Sequence, residues 1–164
     1  MTMKSQSFLQ GLGYPIEKAE AGDEALYGVV WLAARAQRRV AKVLKGFGLT
    51  PVKFNILMVV KHVGRAQGLS QREMGSRLLM DAGNMARVLD DLERRGWLIR
   101  AAGTDRRSHR IKITPKGSHL LDNVWPAYKT AVKELTGNLS EPNQHRLVGA
   151  LSQWRDALQE QGVV

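Results

Sequence analysis

Along most of the chain, apolar residues recur at spacings of three and four, the period of a helix with one buried face. Only between Trp97 and Thr114 does the spacing drop to two. The first long run is Asp23 to Lys45, where Leu26, Val29, Val30, Ala33, Val40 and Leu44 form a stripe ended by Gly46 and Gly48. Residues 1–22 contain Gly11, Gly13 and Pro15 and keep no period, so they are expected to form an extended or loosely ordered arm. Its apolar residues Phe8, Leu9, Tyr14 and Ile16 are candidates for docking on a partner subunit. Thr50 and Pro51, as cap and first-turn proline, start a helix that is expected to send Ile56, Leu57, Val59, Val60 and Val63 into the core.

The stretch from Ser70 to Gly96 predicts two short helices meeting at a turn. Ser70 and Glu73 fit a capping box, and Leu69 and Met74 fit the hydrophobic staple around it. The second helix is expected to start near Asp81 and end at Gly96, with Met85, Val88, Leu89 and Leu92 on its apolar face. That leaves Asn84, Arg87, Asp91 and Arg94 facing outward. Trp97–Ala101 and His109–Thr114 are β-prone runs carrying Ile99, Ile111 and Ile113, and Gly103, Thr104, Asp105, Arg106 and Arg107 between them predict a basic hairpin tip. A helix pair followed by a basic hairpin is the winged form of helix-turn-helix, in which the hairpin reaches a minor groove while the second helix lies in the major groove.

Thr114 and Pro115 open a further helix to about Thr136, with Leu120, Leu121, Val124, Tyr128, Val132 and Leu135 on one face. Pro126 is expected to interrupt and kink it. Ser140 starts a last helix in which Leu147, Leu151, Trp154 and Leu158 recur. These two helices carry more apolar surface than a winged helix of this size needs.

Charge narrows the partner. A net charge of +10 and a pI near 10.3 suggest a polyanion. No acidic residue lies between Glu24 and Glu73, while Arg35, Arg38, Arg39, Lys42, Lys45, Lys53, Lys61, Arg65 and Arg72 accumulate there. Added attraction for DNA and a helix lining a pocket for an acidic ligand account for this equally well. The absence of cysteine excludes disulfides, thiolate metal sites and thiol redox sensing. The histidines His62, His109, His119 and His145 show no metal-ligand spacing, and no nucleophile or phosphate-loop motif is present, so neither an enzyme nor a cofactor is expected. The longest apolar run, Val29–Ala34, is too short to span a bilayer, and no signal-peptide pattern opens the chain. A cytoplasmic protein without a membrane partner is therefore expected.

Asn pairs bidentately with adenine and Arg with guanine, so Asn84 and Arg87 are the candidates for base recognition. Ser70, Gln71, Arg72, Arg77 and Arg94 are further candidate DNA contacts. In the wing, Arg107 is expected to enter a minor groove, held by Asp105, with Arg106 on a phosphate; the alternative is that Asp105 caps the turn and Arg107 is solvated. Tyr27, Trp31 and Arg35 at spacings of four, Met58 and His62 one turn apart, and Trp125 combine apolar walls with a few cationic groups. They are the candidate site for an aromatic or acidic effector. For Tyr27 and Trp31, packing at a subunit interface is favoured over ligand contact, and for His62 an ordinary packing role is favoured over anchoring an anion.

Leu49-Thr50-Pro51, Leu69-Ser70-Gln71-Arg72-Glu73, Arg87-Val88-Leu89-Asp90-Asp91-Leu92-Glu93 ending at Gly96, Asp105-x-Arg107 and Ile113-Thr114-Pro115-Lys116-Gly117 together resemble the MarR (multiple antibiotic resistance regulator) family over roughly residues 23–160. Gly75 and Gly83 depart from the family pattern and suggest close approach to a neighbouring helix or to DNA. The resemblance implies a mainly α fold with a small β-hairpin wing, a winged helix-turn-helix at 50–114 and a helical dimerisation region at 23–49 and 115–164. It further implies a homodimeric repressor on a palindromic double-stranded DNA operator, released by a small molecule that changes the spacing of the wings. A non-specific architectural DNA-binding protein without effector response is the alternative, distinguished by the ratio of specific to non-specific affinity at fixed salt.

Overall fold

The computed structural model describes residues 7–10, 15–78, 80–102 and 109–162. Helix α1, Ala21–Lys45, starts slightly before Asp23, because Glu20 serves as its cap and donates its backbone N–H to Asp23 Oδ2 at 2.9 Å. It ends in a left-handed turn at Gly48, where the Leu49 N–H reaches the Leu44 carbonyl at 3.0 Å and both leucines enter the core. The described part of the arm lies on its own α1. The Phe8 N–H and the Ser7 hydroxyl donate to the Glu24 carboxylate, and the Phe8 ring covers Gly28, where a Cβ would stand 2.9 Å from it. Phe8 and the buried Leu9 are thus held within their own chain.

Helix α2, Pro51–Val59, is capped by Thr50, whose Oγ1 accepts the Lys53 N–H at 3.3 Å, and it runs into a π-helical turn, Val60–Gly64. The wider turn advances the buried face. Val60 and Gly64 point inward and Val63 is 45% exposed, contrary to its expected place in the core.

In α3, Gln71–Leu78, the capping box forms in both directions: the Ser70 N–H donates to Glu73 Oε2 at 2.6 Å and the Glu73 N–H to Ser70 Oγ at 3.2 Å. Asp81 caps α4, Ala82–Arg94, accepting the Asn84 N–H at 2.8 Å. At its far end Gly96 takes a φ of +72°, and the Trp97 N–H returns to the Leu92 carbonyl at 3.0 Å, which brings two buried side chains together.

Strands β1, Leu98–Ala102, and β2, His109–Ile113, pair antiparallel with Arg100 opposite Ile111. Ile111 is buried, whereas Ile99 faces solvent opposite Lys112. Leu69 adds a rung: its N–H donates to the Ile111 carbonyl at 3.0 Å and its carbonyl accepts the Ile111 N–H at 2.7 Å. Thr114 then caps α5, Pro115–Thr136, by accepting the Gly117 N–H at 3.0 Å. The helix is continuous through Pro126, contrary to the expected interruption. Asp122 and Pro126 both lie on its exposed side, where the carbonyl that loses its N–H partner meets solvent, while Val124 and Tyr128 keep the helix on the core.

The chain divides into two compact units, Met1–Tyr128 and Lys129–Val164. The first holds a continuous core drawn from α1 to α5, centred on Phe54, Ile56, Leu57, Met74, Met85, Leu89, Leu92 and Leu121. The second holds the end of α5 and helix α6, Glu141–Glu160, which has no buried residue and exposes Leu147, Val148 and Leu151. Among the described residues no helix is long and apolar enough to cross a membrane.

A Cβ at Gly117 would stand 2.2 Å from the Trp97 carbonyl oxygen, whereas one at Gly22 meets nothing within 4 Å. Gly117→Ala is therefore expected to lower unfolding free energy in urea by about 1–3 kcal/mol, with Gly22→Ala within about 0.5 kcal/mol of the natural chain.

Candidate functional site

One face of α4, from Asn84 to Arg94, and the first turn of α2 form an open groove lined by Thr50, Val52, Lys53, Asn84, Arg87, Val88, Asp91 and Arg94. Within it Arg87 Nη2 donates to Asn84 Oδ1 at 3.1 Å. Helical spacing of three puts the two on one face, and their contact orients the guanidinium before any ligand arrives. The Asn84 NH2 group remains to donate outward, and bidentate pairing with a base requires its carbonyl to exchange Arg87 for the base.

Asp91, expected on an outward face, is instead the acceptor that joins α2 to α4. It takes Lys53 Nζ at 2.6 Å, Arg95 Nε at 2.9 Å and Arg94 Nη2 at 3.3 Å. The hydrogen bond from Lys53, followed by that from Arg95, holds its carboxyl below the usual value. Arg94 extends into solvent beyond this contact, with 77% of its side chain exposed.

On α3, Arg72 and Arg77 are exposed, while Ser70 is engaged in the capping box. Gln71 Nε2 donates to the Ala82 carbonyl at 3.1 Å and so fixes the angle between α3 and the start of α4. Gly75 is approached by the Met80 carbonyl oxygen, at 3.5 Å from an added Cβ, which is ordinary contact. Gly83 meets only Asp81 of its own cap.

Each wing strand is bound to a helix by an arginine that the sequence reading missed. Arg100 of β1 donates to Asp90 and Glu93 on α4. Arg110 of β2 reaches Glu73 Oε2 at 2.8 Å and the Gly68 carbonyl at 2.8 Å. Since Arg100 pairs with Ile111 and Arg110 with Ala101, the two side chains leave opposite faces of the ribbon, which is held from both sides. Asp90 and Glu93 three apart on α4, followed by a lone arginine in a strand, was the available signal. The wing-tip residues Asp105, Arg106 and Arg107 lie outside the described residues.

A second concavity, of about 460 Å³, lies between α2 with its π turn and α5, lined by Met58, Lys61, His62, Leu121, Asp122 and Trp125. Three of the predicted effector residues, Met58, His62 and Trp125, meet here. Lys61, also missed, joins them and is bound to Asp122 at 2.6 Å. Trp125 stacks on Tyr128 with centroids 5.5 Å apart, and Tyr128 meets the buried Phe54 at 4.9 Å. Tyr27, Trp31 and Arg35 do not line this cleft; the Arg35 guanidinium lies 4.5 Å over the Trp31 ring, whose neighbour is Phe8. Among the described residues no group of acidic or histidine side chains has the arrangement of a metal site.

A capped helix, a second helix with a polar reading face and a two-stranded wing define the winged helix-turn-helix class. The sequence model described as MarR family matches residues 47–108. The Bacillus subtilis helix-turn-helix transcriptional regulator YkoM is 35% identical over 105 residues, which cover 63% of this chain and 66% of that protein. MhqR of the same organism, also a helix-turn-helix transcriptional regulator, is 38% identical over 95 residues, 57% of this chain and 63% of that protein. The matched region thus spans just under two thirds of these relatives. A crystal structure of a MarR variant from Escherichia coli complexed with operator DNA superposes with a TM-score of 0.72 at 21% identity, covering 82% of this chain and 98% of that one. Residues 47–108 thus match the MarR family, and the relatives the chain resembles are transcriptional regulators.

Glu73 carries both the cap of α3 and the tie to β2. The backbone and hydroxyl of Ser70, then Arg110, lower its pKa in the folded chain. Its stabilising contribution is complete above the ordinary carboxylate value and is lost as pH falls through the lower folded value. Glu73→Gln is expected to make stability, followed by urea titration from pH 5 to 3, fall less steeply than in the natural chain. Arg100→Met is expected to speed amide hydrogen exchange in β1 and β2 and leave α6 unchanged; equal exchange in the wing would remove the arginine from its positioning role.

Proposed function

We propose that the protein is a homodimeric, ligand-responsive DNA-binding transcriptional regulator, a repressor whose affinity for a palindromic operator falls when a small aromatic or acidic molecule enters the cleft between α2 and α5. The observation that carries this reading is the Asn84–Arg87 pair, displayed on the N-terminal half of α4 with Lys53 and Arg94 beside it. Bases are read from that part of a recognition helix, and the flanking cations meet phosphate. Arg72 and Arg77 of α3 add backbone contacts, and the wing sends Arg107, oriented by Asp105, into the neighbouring minor groove, with Arg106 on a phosphate.

In this reading the apolar residues exposed on α1 (Leu26, Val29, Val30 and Leu32) and, separately, those exposed on α6 (Leu147, Val148 and Leu151) each contact a second copy. A dimer must place its two recognition helices about 34 Å apart to meet successive major grooves, so a ligand that favours another spacing weakens binding. In the cleft, Met58, Leu121 and Trp125 would cover an aromatic ring, and a carboxylate or phenolate would replace Asp122 at Lys61. Arg35, stacked on Trp31, serves the subunit surface in this reading.

The net charge of +10 also suits non-specific DNA coating. The test is binding at fixed salt to a duplex recovered by selection from random sequence, set against random duplex. A preference of roughly a thousandfold or more is expected of a specific regulator, and none of a coating protein. Arg87→Ala is expected to cost about 1–3 kcal/mol and relax one or two positions of the site; an equal loss on every sequence would make it a phosphate anchor. With benzoate as probe, Lys61→Gln is expected to weaken release from DNA while leaving DNA affinity in place. Unchanged release would take the cleft out of the mechanism.

A further inference from the structure

Beyond Arg35, the basic run of α1 has no role in the site described so far. Arg35, Arg38, Lys42 and Lys45 are all exposed, and at 100° per residue they fall within about 80° of the helix circumference. Val40 and Leu44, on the opposite side, hold that helix to the core. No carboxylate pairs with Arg38, Lys42 or Lys45 among the described residues: the lysines of this region that do find acids are Lys53 and Lys61, and Arg38 spends its Nε on the Ala34 carbonyl of its own helix. None of the four lines the cleft, so the stripe does not serve a ligand held there.

Position relates the stripe to α4 instead. Its last member, Lys45, stands at the end of α1, one left-handed turn ahead of Thr50 and Lys53, which border the Asn84–Arg87 groove. In that turn a Cβ on Gly48 would lie 4.0 Å from the Arg95 guanidinium, so the turn that follows α1 comes close to the C-cap of α4. The wing occupies a different flank of α4, at Asp90 and Glu93.

We propose that Arg38, Lys42 and Lys45 form a phosphate track that continues the DNA interface from the start of α2 along α1, on the flank of the recognition helix away from the wing. The proposal rests on the DNA-binding reading above. From Arg38 to Lys45 the track runs about 10 Å, a length over which duplex DNA carries roughly six charges at one per 1.7 Å. An uncompensated stripe of that length gains by releasing counterions from the backbone, and lacking side chains that read base edges it adds affinity without sequence preference.

The test compares the natural chain, Lys42→Gln/Lys45→Gln, and Lys18→Gln/Lys133→Gln, which removes equal charge from exposed lysines outside the stripe. Dissociation constants are measured from 50 to 200 mM salt on the selected duplex and on random duplex. The stripe variant is expected to lower the salt slope by about two on both. The fourfold salt step would then cost it roughly tenfold less affinity than it costs the natural chain. Base preference should stay unchanged, the control slope should match the natural one, and ethylation interference should lose phosphates on the side of the site away from the wing. Equal slopes for the two variants, or an unaltered phosphate footprint, would overturn the track. Absence of any preference for the selected duplex would instead overturn the regulator reading, with the slope comparison on random duplex still deciding the track.

Discussion

Two backbone hydrogen bonds between Leu69 and Ile111 join the loop ahead of α3 to the wing strand β2, and the candidate DNA-contacting elements are placed around that junction. The junction requires Gly68, which takes a φ of +73° and where a Cβ would lie 2.6 Å from the Ile111 carbonyl oxygen. Arg110 then binds the Gly68 carbonyl and Glu73 together, and Glu73 closes the cap of α3. One strand, one loop and one helix start are thereby a single unit. Leu69 and Met74, both buried, anchor it in the core on which α4 also rests.

The acidic residues around the reading face act as ties between elements. Asp90 and Glu93 hold β1, Glu73 holds β2, and Asp91 gathers Lys53, Arg94 and Arg95. Such half-exposed pairs contribute modestly to stability, so their main effect is geometric: they set the angle of wing and α2 against α4. With the carboxylates engaged between elements, Arg72, Arg77 and Arg87 are left exposed.

Helix α2 takes part in both sites. Its first turn gives Lys53 to Asp91 on α4, its middle gives Phe54 to the stack that ends at Trp125, and its last residues with the π turn give Met58, Lys61 and His62 to the cleft. A molecule that draws Lys61 away from Asp122 therefore acts on the same helix that borders the Asn84–Arg87 groove. Such a molecule shifts DNA affinity only as far as its own contacts differ between the two arrangements of that helix.

Helix caps, turn glycines and the alternation of strands were legible from the residues, because each depends on neighbours a few positions away. Ser70 with Glu73, Thr50 before Pro51, Asp81 and Gly96 all act where local reading placed them. The resemblance to the MarR family was legible for the same reason, its motifs being runs of adjacent residues. Three features were decided only by tertiary structure. The π turn that exposes Val63 inserts one residue into a helical period, and Val60 and Gly64 are buried by it. Pro126 is carried inside α5 because Val124 and Tyr128 keep the helix on the core across the missing hydrogen bond. Arg100, Arg110, Asp91 and Lys61 acquire their roles from partners that folding alone brings near: Arg110 lies 37 positions from Glu73 and Lys61 lies 61 from Asp122. Spacing along the chain encodes which face of an element is apolar; which charge meets which depends on how the elements cross, and that is settled by the packing of the shared core.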